Sequence, residues 1–289
     1  MRILVCGGTG FIGRHIVQAL RAAGHEPVVR SRHTTPALDY VQATDAGAWH
    51  AHLEGIDAAV NAVGVLRDRA TRPMAAVHDA APRALFDACA EAGVRRVVHV
   101  SALGLAGNPT RYASTKRAAD AHLLVLTQAG RLDGTVVRPS VVFGAGGSSS
   151  ELFLALARLP ALLLPRPVQR ARVQPVAVRD LAEAVARLVQ TPAQPGIVEI
   201  GGPRALPLAE FIASLRAQRG HGPARVGTLP DWATQASARA GDWLPVSPWC
   251  SETLALLATD NVTDPRTLAA LLGRPGVAPE HLVATLHTA

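Results

Sequence analysis

The chain has 289 residues, 48% of them hydrophobic but only 4% aromatic, and a formal charge of +7. That length holds one large domain, or a domain with a small appendage, around a core of Ala, Val and Leu. The arginines are dispersed and not interleaved with aromatics, which excludes a nucleic-acid platform; three widely spaced cysteines exclude a disulfide framework or a zinc site; and the most apolar stretch, 152–165, is too short to span a membrane and is broken by Arg158 and Pro160.

Residues 2–6 form an apolar run that predicts a first strand. The chain opens directly on it, so no signal peptide is expected ahead of it and a cytoplasmic location is the expectation. A glycine-rich turn follows, then a helical pattern from 11 to about 23 that Gly24 ends. Strands are read at 27–30, 57–63, 96–101 and 135–138, with helices at 46–53, 74–92 and 111–128 between them. Strands alternating with helices predict βαβ units, a parallel sheet and, with right-handed crossovers, a doubly wound α/β fold of the Rossmann kind. Residues 1–145 are read as its core. After Phe143 the texture changes: 144–150 is a Gly/Ser loop and the remainder is richer in proline. Residues 146–289 are expected to close a cleft over the carboxyl ends of the strands. Within them 173–200 is expected to return to the sheet, as a strand at 173–178, a helix at 181–190 and a strand at 197–200. Short helices are expected at 208–219, 251–257 and 280–286. Trp232, Trp243 and Trp249 fall in this half, as cleft-lining residues, as core or as interface residues.

Gly7, Gly10 and Gly13, with Thr9, Phe11 and Ile12 among them, stand between the first strand and the first helix. Placed there, glycines let a pyrophosphate approach backbone N–H groups at a helix N-terminus. The core is therefore a candidate dinucleotide-binding unit. An acid near the end of the second strand would mark the ribose 2′-hydroxyl of NAD. Here that strand ends in Arg30-Ser31-Arg32. Guanidinium groups match a phosphate, so NADP(H) is favoured over NAD(H), unless the arginines are only solvated loop charges.

The chain holds one lysine, Lys116, and one of its two tyrosines, Tyr112, lies four residues before it. That spacing puts both on one helix face. A phenol with a pKa of about 10 is a poor base at neutral pH. A neighbouring ammonium favours the phenolate, which makes Tyr112 and Lys116 a candidate proton-transfer pair. The bland alternative is a chance pair on a surface helix.

With residues 7–13, Asn61-Ala62-Val63-Gly64, Tyr112 to Lys116 and Arg138-Pro139-Ser140 in that order, the chain resembles the short-chain dehydrogenase/reductase superfamily over about residues 1–200. More narrowly it is similar to the atypical extended branch that includes the NAD(P)H-binding accessory subunit of respiratory complex I. That likeness rests on residues 100–104 ahead of Tyr112, on 174–176 before 179–182, and on the tail at 260–262. The resemblance implies roles for matching positions. Tyr112 would be the acid/base. Lys116 would lower its pKa and hold the nicotinamide ribose, and Ser101 would hydrogen-bond the substrate carbonyl. Ala62 and Gly64 would border the adenosine ribose, and 139–142, with Pro139 and Val142, the nicotinamide amide. Two departures stand out. The loop between Ser101 and Tyr112 is short for the superfamily, and Gln42 occupies the position where an aspartate often meets the adenine amine. Asp180 is read as a helix N-cap and Arg138 as structural.

These readings predict an NADP(H)-dependent oxidoreductase acting on a small carbonyl or alcohol. Two alternatives remain: an accessory or regulatory protein that holds NAD(P)H without turnover, and an NAD-dependent sugar-nucleotide epimerase or dehydratase. The partners expected are a small-molecule substrate, with no nucleic acid, no metal and no direct membrane insertion, and either a homodimer or association with a larger complex.

Overall fold

The computed structural model describes residues 1–191, 196–244, 249–257 and 259–286. Six parallel strands form the central sheet: β1 (Arg2–Cys6), β2 (Glu26–Arg30), β3 (Ala58–Asn61), β4 (Arg96–Val100), β5 (Asp133–Pro139) and β6 (Gly196–Ile200). Their spatial order is β6-β5-β4-β3-β1-β2. Every residue of β3 and β4 is buried, as a sheet covered on both faces requires.

Alternation along the strands splits the core into two layers. Leu4, Cys6, Ala59, Val97 and Val136 face one side, against α2 (Ala81–Glu91) and α3 (Arg111–Gln128). Ile3, Val5, Val60, Val98 and Val137 face the other, against α1 (Phe11–Ala22) and α5 (Val178–Gln190). The pattern Leu181, Ala182, Val185, Leu188, Val189 places the buried face of α5 on the sheet and on α1. The chain leaves β1 for β2 on one side and returns to β3 on the other. A crevice therefore opens at the carboxyl ends of β1 and β3, where open α/β sheets take their ligands.

Several elements differ from the sequence reading. The helix read at 46–53 is a 3₁₀ turn, Ala46–Trp49, and one α-turn, His50–Leu53. The helix read at 74–92 starts with a π-helical turn over Ala75–Ala80. The strand read at 173–178 divides at Pro175, which has no N–H to give a ladder. Arg172–Val173 pairs with Leu206–Pro207, Val176–Ala177 pairs with Val142–Phe143, and neither piece enters the central sheet. Residues 148–150, read as loop, begin α4 (Ser148–Leu156). The apolar run at 161–165 becomes a strand paired with Arg225–Leu229. Residues 279–286 make 3₁₀ turns in place of an α-helix.

The second half has its own core, in which Phe143 and Phe153 meet Phe211 edge-on at 5.8 and 5.6 Å. Phe211 comes from α6 (Leu208–Gln218). A short helix, Arg166–Arg170, and two further ones, α7 (Asp231–Trp243) and α8 (Ser251–Leu256), also stand in this half, while α9 (Pro265–Leu272) packs Leu268 and Leu272 into the sheet's core beside α5. Asp180 lies in the first turn of α5 but does not cap it. It is buried, its Oδ2 accepts from Val277 N at 2.7 Å and its Oδ1 from Arg274 at 2.9 Å, so it anchors the C-terminal segment. Among the described residues no helix is long and apolar enough to cross a membrane.

Candidate active site

The turn after β1 builds the first part of the site. Gly7 has φ +77°, a conformation L side chains resist, and Gly10 N donates to Gly7 O at 2.9 Å. A Cβ on Gly13 would stand 2.1 Å from Gly7 O, so α1 can start this close to β1 only without a side chain there. Gly10 caps α1 with no side-chain acceptor, and the first turn carries no acid. The positive end of the helix is thus left open to an anion.

From this turn a cavity of about 330 Å³ runs outward, lined by Gly7, Thr9, Gly10, Arg30, Ser31, Arg32, Ala62 and Gly64. Residues the sequence reading did not single out join them, among them Asp39, Tyr40, Val41 and Arg72. Arg30 is partly engaged, giving Nε to His52 Nδ1 at 3.3 Å and Nη1 to Val29 O at 3.1 Å. Arg32 and Arg72 have no side-chain partner among the described residues. Gln42 is exposed and does not line this cavity; Val41 does.

A second cavity, of about 470 Å³, meets the first at Gly64. Phe11, Ile12, Tyr112, Pro139 and Val142 line it, together with Leu103, Phe153, Trp249 and Leu257. Of the tryptophans only Trp249 reaches it; Trp232 and Trp243 are 75% and 88% exposed on α7. Asn261 fastens the tail to the cleft wall, donating Nδ2 to Leu103 O at 3.1 Å and accepting from Ser140 Oγ at 2.8 Å.

Tyr112, Lys116 and Asp120 share one face of α3, which Thr110 caps by accepting from Ala113 N. The Tyr112 ring stands edge-on to His78 at 5.3 Å. His78 is buried with Nε2 accepting from Val65 N at 2.9 Å, and burial, with Lys116 nearby, pushes it down to about 2, so it stays neutral. Burial, then Asp120 and Glu252, pushes the Tyr112 phenol up to about 12. Burial lowers Lys116 to about 8, against the pull of Asp120.

The sequence reading expected Lys116 to lower the phenol. In the structure its ammonium is instead drawn into the core, donating to Val100 O at 3.2 Å, and does not figure among the groups acting on Tyr112. Ser101 does not line the cleft. Its side chain is buried beside Asp120, and the next two residues, Ala102 and Leu103, form the wall. The structure thus brings Tyr112 together with Pro139, Val142, Phe11, Ile12 and Gly64, keeps Lys116 just behind, and leaves Ser101 and Gly13 inside.

Behind Lys116 lies a buried polar network. Arg138 gives Nε and Nη2 to Asp120 Oδ2 at 3.0 and 2.8 Å, and His99 Nε2 stands 3.5 Å from Asp120 Oδ1. His99 Nδ1 contacts Asn61 Nδ2 at 3.1 Å, and Asn61 Oδ1 accepts from Tyr40 at 2.9 Å and from Val63 N at 3.1 Å. Asp120 lies one further helical turn along from Tyr112 and Lys116, a signal readable in sequence. Arg72 gave none, since it comes from the loop beyond β3. Among the described residues no cluster of His, Cys, Asp and Glu could hold a metal ion.

An uncapped helix end behind three glycines, continuous with a cleft that crosses the sheet's switch point, is the cradle of a dinucleotide. A family model described as the NAD dependent epimerase/dehydratase family matches residues 3–201. The chain belongs to that family, and its cofactor is a nicotinamide dinucleotide. Among curated relatives, a ceramide reductase of Caulobacter vibrioides is 28% identical over 217 residues, covering 70% of this chain and 65% of the relative. The chain thus spans less than two thirds of that relative's length. A 3-diazoavenalumate denitrifying reductase of a Streptomyces species is 30% identical over 261 residues, covering 80% and 84%. Among solved structures, the NADPH-dependent quinone oxidoreductase QOR2 of Escherichia coli, complexed with NADPH, superposes with a TM-score of 0.73. It is 19% identical and the match covers 98% of this chain and 99% of that one, a likeness of fold.

Proposed function

We propose that this chain is an NADP(H)-dependent oxidoreductase that interconverts a carbonyl and an alcohol, with Tyr112 as the proton-transfer group. The carrying observation is that Tyr112 is the one ionisable side chain among the described residues lining the 470 Å³ cleft, and that this cleft meets the glycine-loop cavity at Gly64. The reductase relatives support the reading.

The glycine loop and the first turn of α1 would hold the pyrophosphate, and Ala62 and Gly64 the adenosine side. Pro139 and Val142 would border the nicotinamide, and Arg30, Arg32 and Arg72 would hold a 2′-phosphate. The bound dinucleotide supplies the hydride. The chain's own part is orientation, exclusion of water and the proton. Held neutral by its burial, Tyr112 donates its hydroxyl to a carbonyl oxygen and gives up the proton as charge develops there. Lys116, one turn further along, would have to turn its ammonium from Val100 O towards the ring to stabilise the phenolate left behind. The test is Tyr112→Phe: unchanged NADPH affinity with turnover lowered roughly 10²- to 10⁴-fold. Undiminished turnover would refute the assignment.

A second reading has its own support. Lys116 is engaged with Val100 O and Tyr112 is pushed upward, a setting that also suits a protein holding NAD(P)H without turnover, as in the accessory-subunit branch the sequence resembles. Tight NADPH binding with no oxidation of cofactor by any carbonyl would favour it.

A further inference from the structure

The two cavities differ in charge. The dinucleotide cavity presents three arginines, Arg30, Arg32 and Arg72, against one acid, Asp39. The cleft beside Tyr112 presents no formal charge from any described residue; its walls are Phe, Ile, Leu, Val, Pro and Trp with a few hydroxyls and one amide. Residues 245–248, which lead into Trp249, are Pro, Val, Ser and Pro, so they add no charge by their composition. Three cations reach the wall from outside, and each is turned to a backbone carbonyl: Arg14 to Ala145, Arg67 to Gly241 and Trp249 at 2.9 and 3.0 Å, and Lys116, behind Gly64, to Val100 O at 3.2 Å.

A carboxylate or a diphosphate entering such a cleft loses its hydration and finds no cation to replace it. A sugar nucleotide brings a diphosphate to its site, and guanidinium or ammonium groups are what normally meet one. An alkyl or aryl chain, in contrast, gains with every methylene removed from water. The hydroxyls are in part already satisfied: Ser140 by Asn261 O and Gln174 N, Thr253 by the Cys250 backbone. Ser148 and Ser149 keep their hydroxyls, but Tyr112 is the one ionisable group of the described lining, able to hold a polar atom and also give it a proton.

We infer that the substrate is a neutral, largely hydrocarbon molecule whose one essential polar group is the carbonyl or hydroxyl held at Tyr112, and that the cleft rejects carboxylates, phosphates and sugar nucleotides. The inference rests on the oxidoreductase reading for its chemistry but on the cleft wall for its selectivity, and the two can fail separately.

The experiment follows NADPH consumption by the purified full chain with straight 2-alkanones from four to ten carbons, with 2-oxo acids of matching length, and with UDP-glucose. The expected result is kcat/KM rising roughly fourfold per added methylene until the cleft is full, with each oxo acid at least about a hundredfold below its alkanone. Leu256→Arg and Leu66→Arg, each placing a cation on the wall, should narrow that gap by raising the oxo acids. A flat alkanone series, or an oxo acid or UDP-glucose consumed as well as the alkanones, overturns the inference. If no compound oxidises the cofactor, the proposed activity fails but the cleft is still testable. Calorimetry of the NADP⁺-saturated protein should show 2-nonanol binding and nonanoate not. Nonanoate bound as tightly as 2-nonanol, or neither bound, overturns the inference.

Discussion

Lys116 is the only lysine in the chain, so its ammonium can be observed with no background. It is 4% exposed, and burial brings it down from its ordinary value of 10.5 to about 8. Below pH 8 it is protonated in both the folded and the unfolded chain, so its burial cost is fully present. Between pH 8 and 10.5 the folded protein releases the proton while the unfolded chain keeps it. Stability therefore rises through that window and levels off above it. At 1.36 kcal/mol per unit, the gap between 10.5 and about 8 amounts to about 3 kcal/mol. Cys6, pushed up to about 12 by burial, works the other way above pH 9, so the wild-type curve alone does not isolate the lysine. Lys116→Met does. It leaves Val100 O without its donor, a constant offset, and removes the slope. Measured by denaturant, the stability of wild type minus that of Lys116→Met should be about 3 kcal/mol greater at pH 10.5 than at pH 7. Selective ¹⁵N-lysine labelling gives the direct measurement, one Nζ resonance titrating near 8. A resonance titrating at 10 or above, with two parallel stability curves, would refute the reasoning.

Three further outcomes follow from the same geometry. Arg32→Ala and Arg72→Ala should each weaken NADPH binding by roughly 10- to 100-fold, the loss of one charge-assisted hydrogen bond, and leave NADH unchanged; equal losses for both cofactors in a fluorescence titration would remove these residues from the 2′-position. Gly13→Ala drives a Cβ to within 2.1 Å of Gly7 O, which should cost roughly 1–3 kcal/mol by thermal melting and weaken either cofactor alike. Asp120→Ala leaves the half-buried Arg138 and the buried Lys116 without their carboxylate, and urea denaturation should find it about 3 kcal/mol less stable than wild type.

What the sequence made legible is what depends on local pattern. The Gly7–Gly10–Gly13 spacing and the alternation of β1 to β5 with helices are decided by backbone sterics and hydrophobic period; the first is present as read, and so is the second except between β2 and β3, where two short turns replace the helix. The shared face of Tyr112 and Lys116 is legible for the same reason. Which way the Nζ turns is not: the partner it finds, Val100 O, belongs to β4, and the choice is made by tertiary packing. Asn61, His99, Asp120 and Arg138 come from three strands and a helix, so no window of sequence holds their network. The second half was least legible, because its strands are two to five residues long and are fixed by distant contacts such as Phe143 on Phe211 and Asn261 on Leu103.

Tyr112 and Lys116 shift in opposite directions for one cause. Burial disfavours whichever form is charged, so it raises the phenol to about 12 and lowers the ammonium to about 8. At neutral pH the cleft then presents a neutral phenol with an ammonium behind it. A neutral phenol can give a proton but cannot take one, which favours carbonyl reduction over alcohol oxidation as the direction served by the residues alone. Asp120 sharpens this division. Its carboxylate raises the phenol while opposing the fall of the ammonium, so a single side chain on the same helix face holds both groups in their protonated forms. The apolar wall acts in the same sense, since a neutral substrate adds no charge that would disturb either proton.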